Sequence, residues 1–353
     1  MQLSLSSAGL VELQEAAANV LARPSAAQLL PTAQAAEGIP RLERMLLAAA
    51  EEAPAQLSLA AAALVRAGGK RVRPLLLLLS ARAAAPSKRG RGRVALALVS
   101  ELVHSATLLH DDVIDDGLTR RGLPAPRVAY GNGVSVLAGD WLLTTSLELA
   151  FRSRVPQAAE TLVKALRQLV EGEARQLAMR GLTSFTAEDA LLISRLKTAS
   201  LFGWAAEAGA LVAHAPEPMR VALRSFGLHA GTAFQIADDL LDFEADAATM
   251  GKAVLADVAE GKPSLPLAIG LKRLPVLREE MAALLAGVSS EGDLRARTRA
   301  FAVKLAHTGA LGAARRIAEQ ERDAALEALQ QVPESPTREL LAHVARSLLE
   351  RKS

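Results

Sequence analysis

The sequence predicts an all-α protein, and three observations carry that expectation. Strand formers are scarce: 353 residues include 2 Trp, 1 Tyr and 7 Phe. Half of the chain is apolar, but Ala and Leu, both strong helix formers, supply most of it. No segment alternates apolar and polar residues, and no strand-then-glycine nucleotide fingerprint occurs. Such a length and apolar fraction suffice for one large core. No linker is long enough to divide the chain, so one domain is expected over 38–353. It follows an Ala/Ser-rich extension, 1–37, broken by Pro24 and Pro31.

Composition also excludes several function classes. Cysteine is absent, which removes disulfide frameworks and thiolate metal sites and fits a reducing, cytoplasmic setting. The formal net charge is only +3. No basic stretch is interleaved with aromatics, so nucleic acid is not an expected partner. No uninterrupted apolar run reaches the roughly 18 residues of a membrane span. The N-terminus lacks the basic-then-apolar pattern of a signal peptide.

From about Arg41 the chain reads as long apolar-periodic helices with short breaks. The first breaks fall at "RAGGKRVRP", at the basic "SKRGRGR" and at "TRRGLPAPRVAYGNG". Others follow at "RSRVPQ", "MRGLTSFTAED", "HAPEP", "ATMGKAVLADVAEGKPS" and "QVPESP". Between the second and third lies "VALALVSELVHSATLLHDDVIDDG", which reads as a buried helix running into Asp111, Asp112 and Asp115. Charge in apolar surroundings needs compensation. A second helix, "FQIADDLLDFEAD", repeats the spacing with Asp238, Asp239 and Asp242. Positions i and i+4 share a helix face, so each trio presents two stacked carboxylates and one flanking carboxylate. If the helices face one another, six carboxylates cannot all ionise there without cations. All-oxygen clusters suit Mg²⁺, which binds through a few carboxylates together with substrate phosphate.

The phosphate side should then carry cations. Lys70, Arg71 and Arg73 follow a glycine pair, and Arg120 and Arg121 follow the first acidic helix. Lys197 and Thr198 interrupt an apolar helix, and Lys252 and Lys262 occupy two Gly-Lys pairs beyond the second acidic helix. Arginine forks match phosphate oxygens, and lysine adds a point charge.

The ordered motifs "GGKRVRP", "ELVHSATLLHDDVIDDGLTRRG", "VLAGDWLL", "EGEARQ", "KTASLF", "FQIADDLLDF" and "GKPSLPL" resemble those of the trans-isoprenyl diphosphate synthase (polyprenyl synthetase) family. The resemblance runs from about Arg41 to the C-terminus. It implies a single-domain all-α barrel of long helices around a deep central cavity, usually a homodimer. The implied activity is Mg²⁺-assisted ionisation of an allylic diphosphate and its head-to-tail condensation with isopentenyl diphosphate. Residue by residue, it assigns Mg²⁺ to Asp111, Asp115 and Asp238, with Asp112, Asp239 and Asp242 in support. It assigns the allylic diphosphate to Arg120, Lys197, Thr198, Gln235 and Lys252. Isopentenyl diphosphate falls to Lys70, Arg73, His104 and Arg121. A peripheral membrane contact for product release is compatible with this reading.

In this family a bulky aromatic at the fifth or fourth position before the first aspartate closes the cavity. Those positions are Ala106 and Thr107 here, with Val103 a turn further back. A product longer than geranylgeranyl diphosphate is therefore expected. Small residues also let helices pack closely, and Trp141, Phe202 or Trp204 could supply a floor elsewhere, which leaves a short-chain synthase as the alternative. The chain departs from the family pattern at Ala253, Leu255 and Ser264, in the loop expected to close on substrate. A class I terpene cyclase would carry a mixed Asn/Ser/Glu second motif. A non-catalytic regulatory subunit would be expected to lose acidic or cationic site residues.

Overall fold

A computed structural model describes residues 33–85, 92–244, 255–287 and 291–349. The expected lead-in lies mostly outside these residues, as do Lys252 and Ala253. The chain begins with α1 (Ala33–Glu51), α2 (Ala55–Arg66), α3 (Val72–Ala84) and α4 (Arg93–Ile114). A two-residue hairpin follows, β1 (Thr119–Arg120) paired antiparallel with β2 (Leu123–Pro124). Next come α5 (Pro126–Tyr130), α6 (Asn132–Arg152), α7 (Pro156–Met179) and α8 (Ala187–Ile193). A π-helical turn, Ser194–Ala199, leads into α9 (Ser200–Val212) and α10 (Glu217–Glu244). The C-terminal part holds α11 (Ala256–Glu260), α12 (Leu265–Arg273), α13 (Val276–Leu285), α14 (Glu291–His307), α15 (Ala310–Ala328) and α16 (Pro336–Ser347). The all-α, single-domain expectation is met, and the hairpin falls in one of the predicted breaks.

Packing explains why α4 is apolar nearly all round. Its Leu96, Val99 and Val103 enter a core shared with α3, α7, α9 and α16. Its Leu98, Leu102, Ala106 and Leu109 enter a second core shared with α1, α2 and α6. A helix with partners on both faces has no polar stripe to spend on solvent. Each fully buried Leu or Val contributes roughly 1.5–3 kcal/mol, so these two sandwiched faces hold the acidic end of α4 firmly. A third core unites α8, the last turns of α10 and helices α11–α15.

Helix α6 is the exception. It is long and apolar enough to cross a membrane by length and composition, yet only a third of its most apolar window is buried. The sequence reading missed this because Asp140 and Glu148 interrupt the apolar run.

Candidate active site: two acidic helix ends and two cationic pockets

Asp111 and Asp112 sit in the last turn of α4, and Asp115 is the residue that ends it. Their side chains part ways. Asp112 is fully buried and accepts hydrogen bonds from the guanidinium of Arg120 (Nε, 3.0 Å), which the hairpin turns back toward α4. Asp111 lies 3.6 Å from the Lys197 ammonium. Asp115 accepts from Lys262 at 2.9 Å and from Arg180 at 3.3 Å. Burial, opposed by Lys197 but reinforced by Glu173 and Asp115, pushes the Asp111 carboxyl up to about 6.

The π turn explains how Lys197 reaches this position. Inserting it rotates Lys197 and Thr198 out of the apolar register of the surrounding helix, a device common at functional sites. Gly172 makes room, because a Cβ there would lie 2.5 Å from the Lys197 backbone nitrogen. The close approach sets Glu173 against the Lys197 ammonium as a second carboxylate partner. Burial lowers the basicity of Lys197, but Asp111 and Glu173 outweigh it and the net shift is upward.

Thr198, one residue on, faces the other acidic segment. Its hydroxyl donates to Gln235 (2.6 Å), and Gln235 donates to Asp239 (2.8 Å). Asp239 is buried and also lies 3.4 Å from the Leu265 backbone N–H. Burial pushes its carboxyl up to about 7, against these hydrogen bonds and with Asp238 and Asp242 adding to the rise. Asp238 is exposed and Asp242 half-buried. Asp242 accepts from the Asp257 N–H at 3.0 Å. Burial, then Asp242 and Asp239, raise the Asp257 carboxyl well above the usual range.

Two segments therefore join the acidic helix ends. The π turn gives Lys197 to the first and Thr198 to the second. The stretch from Leu255 to Leu265 gives Lys262 to Asp115 and backbone N–H groups to Asp242 and Asp239. The same stretch shows how two departures from the family pattern are accommodated. Leu255 takes a left-handed backbone (φ 66°) that favours glycine, and buries its side chain in the third core. Ser264 precedes α12 without capping it through its side chain.

A separate cationic pocket forms around His104. Burial, then Arg73, Arg121, Arg71 and Arg120, hold its imidazole well below the usual range, so it is neutral. Arg121 is likewise lowered by burial and by Arg71. Gly69 permits this crowding, since a Cβ there would meet Arg71 Nη1 at 2.8 Å and Arg121 Nη2 at 3.0 Å. Arg71 itself is almost fully buried, bound by Glu43 (2.8 Å) and Glu101 (2.6 Å). It therefore anchors the "GGKRVRP" turn, from which Arg73 approaches His104. Arg73 lies 4.9 Å from the centre of the Phe202 ring.

Sequence reasoning did not single out Glu173, Arg180, Glu43 or Glu101. Glu101 alone carried a signal, a charge inside the apolar run of α4 that demands a partner. Among the described residues no three carboxylates or histidines converge on one ion position.

A family model described as "Polyprenyl synthetase" matches residues 54–298. Octaprenyl diphosphate synthase of Escherichia coli (strain K12) is 36% identical over 285 residues, 80% of this chain and 87% of that protein. The all-trans-nonaprenyl-diphosphate synthase (geranyl-diphosphate specific) of Rhodobacter capsulatus is 35% identical over 287 residues, 81% and 86% of the two chains. A short chain isoprenyl diphosphate synthase of Methanothermobacter thermautotrophicus is 33% identical over 314 residues, 88% and 95%. Among solved structures, a polyprenyl synthase from Caulobacter crescentus CB15, complexed with calcium and isoprenyl diphosphate, superposes with a TM-score of 0.84. It is 32% identical and each chain covers all of the other. With this family match spanning the two acidic helix ends and both cationic pockets, the chain belongs to the polyprenyl synthetase family.

Proposed function

We propose that the chain is a Mg²⁺-dependent trans-prenyltransferase that condenses isopentenyl diphosphate with an allylic diphosphate. The observation that carries this is the pairing of two cationic pockets with two acidic helix ends. Lys197 and Thr198 lie between the acidic ends and are suited to the allylic diphosphate. Arg73, His104 and Arg121 cluster at a second site suited to isopentenyl diphosphate, and Lys70, in the same turn as Arg73, keeps its expected role there. Arg120 is engaged with Asp112, so its share in the allylic pocket needs that pair to open. Lys252, outside the described residues, keeps its expected role there.

Mg²⁺ fits the donors. The set is all oxygen, Asp112 Oδ2 is buried without a hydrogen-bond partner, and burial, with neighbouring carboxylates, raises Asp111 and Asp239. Asp111, Asp115 and Asp238 would hold it, with Asp112, Asp239 and Asp242 in support. Few protein ligands per ion match a cation that keeps waters and substrate phosphate. When bound, Mg²⁺ neutralises charge on the leaving diphosphate. Lys197 stabilises the same developing charge. The double bond of isopentenyl diphosphate, held by Arg73 and Arg121, then attacks the allylic cation. Loss of a proton to the departed diphosphate restores the double bond. Apolar walls keep water from the cation.

The product is longer than geranylgeranyl diphosphate. Ala106 and Thr107 leave no aromatic stop beneath Asp111. Val103 faces the α3 and α9 side of α4, and Ala106 the α2 and α6 side. Trp204 is fixed by a 3.0 Å hydrogen bond to the Ala158 carbonyl and Trp141 by one of 3.3 Å to Ala49. Incubation of the protein with isopentenyl diphosphate, farnesyl diphosphate and Mg²⁺, then chromatography of the dephosphorylated products, tests activity and length together. Products ending at C20 would overturn the length assignment, and Ala106→Phe should shorten the wild-type distribution.

The active form is a homodimer. Exposed Val163, Val170 and Leu177 recur every seven residues along α7, and the preceding α6 exposes Val136, Leu137 and Phe151. A second copy is the occupant that such a stripe fits. Val170→Asp should shift the mass measured by light scattering toward the monomer.

A further inference from the structure

Helix α15 lies outside the pockets described above. It buries Ala310, Ala314, Ala318 and Ala325, a face of small residues suited to close packing on α10. Glu321 interrupts that face, and only 8% of it is exposed. A buried carboxylate is retained only with partners. Glu321 has two, Arg195 Nη2 at 3.0 Å and His229 Nδ1 at 2.6 Å. Arg195 belongs to the π turn and His229 to α10. One side chain of α15 therefore ties together the two segments that carry Lys197, Thr198, Gln235 and Asp238.

The geometry of the turn makes this tie consequential. Residues two apart on a helix point in nearly opposite directions. Arg195 accordingly reaches outward to Glu321, while Lys197 points inward to Asp111 and Glu173. On its flanks the turn is closed in by glycines. A Cβ on Gly172 would lie 2.5 Å from the Lys197 nitrogen, and one on Gly231 would lie 2.7 Å from Ala199 Cα. Helices α7 and α10 thus brace the flanks, and Glu321 braces the outer side. A π turn is rare except as a short bulge within an α-helix, so its inward residues depend on such bracing.

We propose that Glu321 is a positioning residue for the allylic site: through Arg195 and His229 it holds the π turn against α10 and so sets where Lys197 and Thr198 stand. The proposal rests on the prenyltransferase reading above. It is tested in the full-length protein with Glu321→Gln, Arg195→Ala and the double variant. Each single variant should raise the KM for farnesyl diphosphate about tenfold and leave that for isopentenyl diphosphate unchanged. The double variant should be no worse than the worse single, because Arg195 acts only through Glu321. Amide hydrogen exchange across 194–199 should speed up in each, with helices α3 and α4 unaffected. Glu321→Asp, which keeps the charge, should recover part of the loss. Arg195 is more than half exposed, so Arg195→Ala carries the test if Glu321→Gln does not fold. Equal effects on both substrates, additive losses, or unchanged exchange at 194–199 would overturn the proposal. An inactive wild type would instead reject the prenyltransferase reading itself.

Discussion

The two acidic helix ends share a spacing and differ in how their charge is compensated. At the end of α4 every carboxylate meets a cation: Asp111 meets Lys197, Asp112 meets Arg120, and Asp115 meets Lys262 and Arg180. At the end of α10, Asp239 is met by an amide and a backbone N–H, with Asp238 and Asp242 close enough to add to the rise of Asp239 and Asp257. Each carboxylate of the first end has a cationic partner, whereas Asp239 of the second is held by neutral donors. Identical spacing therefore does not imply identical ionisation, because the neighbours come from other elements.

The largest effect should follow from removing either end. Asp111→Ala and Asp238→Ala should each lower kcat by at least about 10²–10³-fold, as for loss of one electrostatic stabiliser of a transition state. Chelation of divalent cations should abolish turnover in the wild type. Initial rates at saturating substrates decide this, and full turnover in either variant would mean that one end is dispensable.

The next effect separates the pockets. Lys197→Ala removes the cation between Asp111 and Glu173. Breaking a fully buried pair costs roughly 3–5 kcal/mol, and this one less because both side chains keep some contact with water. Allylic KM and thermal stability should both suffer. Arg73→Ala should instead raise the KM for isopentenyl diphosphate, by roughly ten- to a hundredfold for one charge-assisted hydrogen bond. Kinetics with each substrate varied in turn would break the assignment if both variants act alike.

A smaller effect is the pH dependence of stability without metal. The folded-state pKa values of Asp111 (about 6) and Asp239 (about 7), and the direction for Asp257, are all raised. Between about pH 4 and 7 the folded state then binds more protons than the unfolded state. The stability these groups contribute is complete below about pH 4 and is lost as pH rises through 6–7. Melting temperature in chelator should fall between pH 5 and 8, and Asp239→Asn should flatten that slope. Mg²⁺ should stabilise more at pH 8 than at pH 6, where protons compete with it. A flat profile would show that burial does not raise these carboxyls in the folded protein.

The smallest effect concerns Leu255. Leu255→Gly relieves a left-handed backbone costing about 1 kcal/mol and removes a buried leucine worth roughly 1.5–3 kcal/mol. Burial wins, so the variant should be less stable by about 1 kcal/mol, or roughly 1–2 °C in Tm. A rise in Tm would show that strain dominates there.

Much of the site was legible in sequence because its signals are local. Aspartates ending two apolar helices, a glycine pair before arginines and a Lys-Thr pair in an apolar helix are each read within a few residues. The π turn was not legible, since its residues are ordinary helix formers and only packing against Gly172 and Gly231 selects it. Glu173 was hidden for a similar reason: the quoted "EGEARQ" places two glutamates a Gly apart, and only the approach of α7 to the π turn shows which one meets Lys197. Ala106 and Val103, read together as one lining, turned out to face different cores.

The sequence by itself determined the helical class, the order of the motifs and the kinds of side chain at each site. Those follow from local spacing and from residue chemistry, which need no partner to be read. Only the tertiary structure decided which cation meets which carboxylate. Lys262 reaches Asp115 across 147 residues and Glu321 reaches Arg195 across 126. It also decided which aspartates are raised, because ionisation depends on burial and on charges brought close from distant parts of the chain.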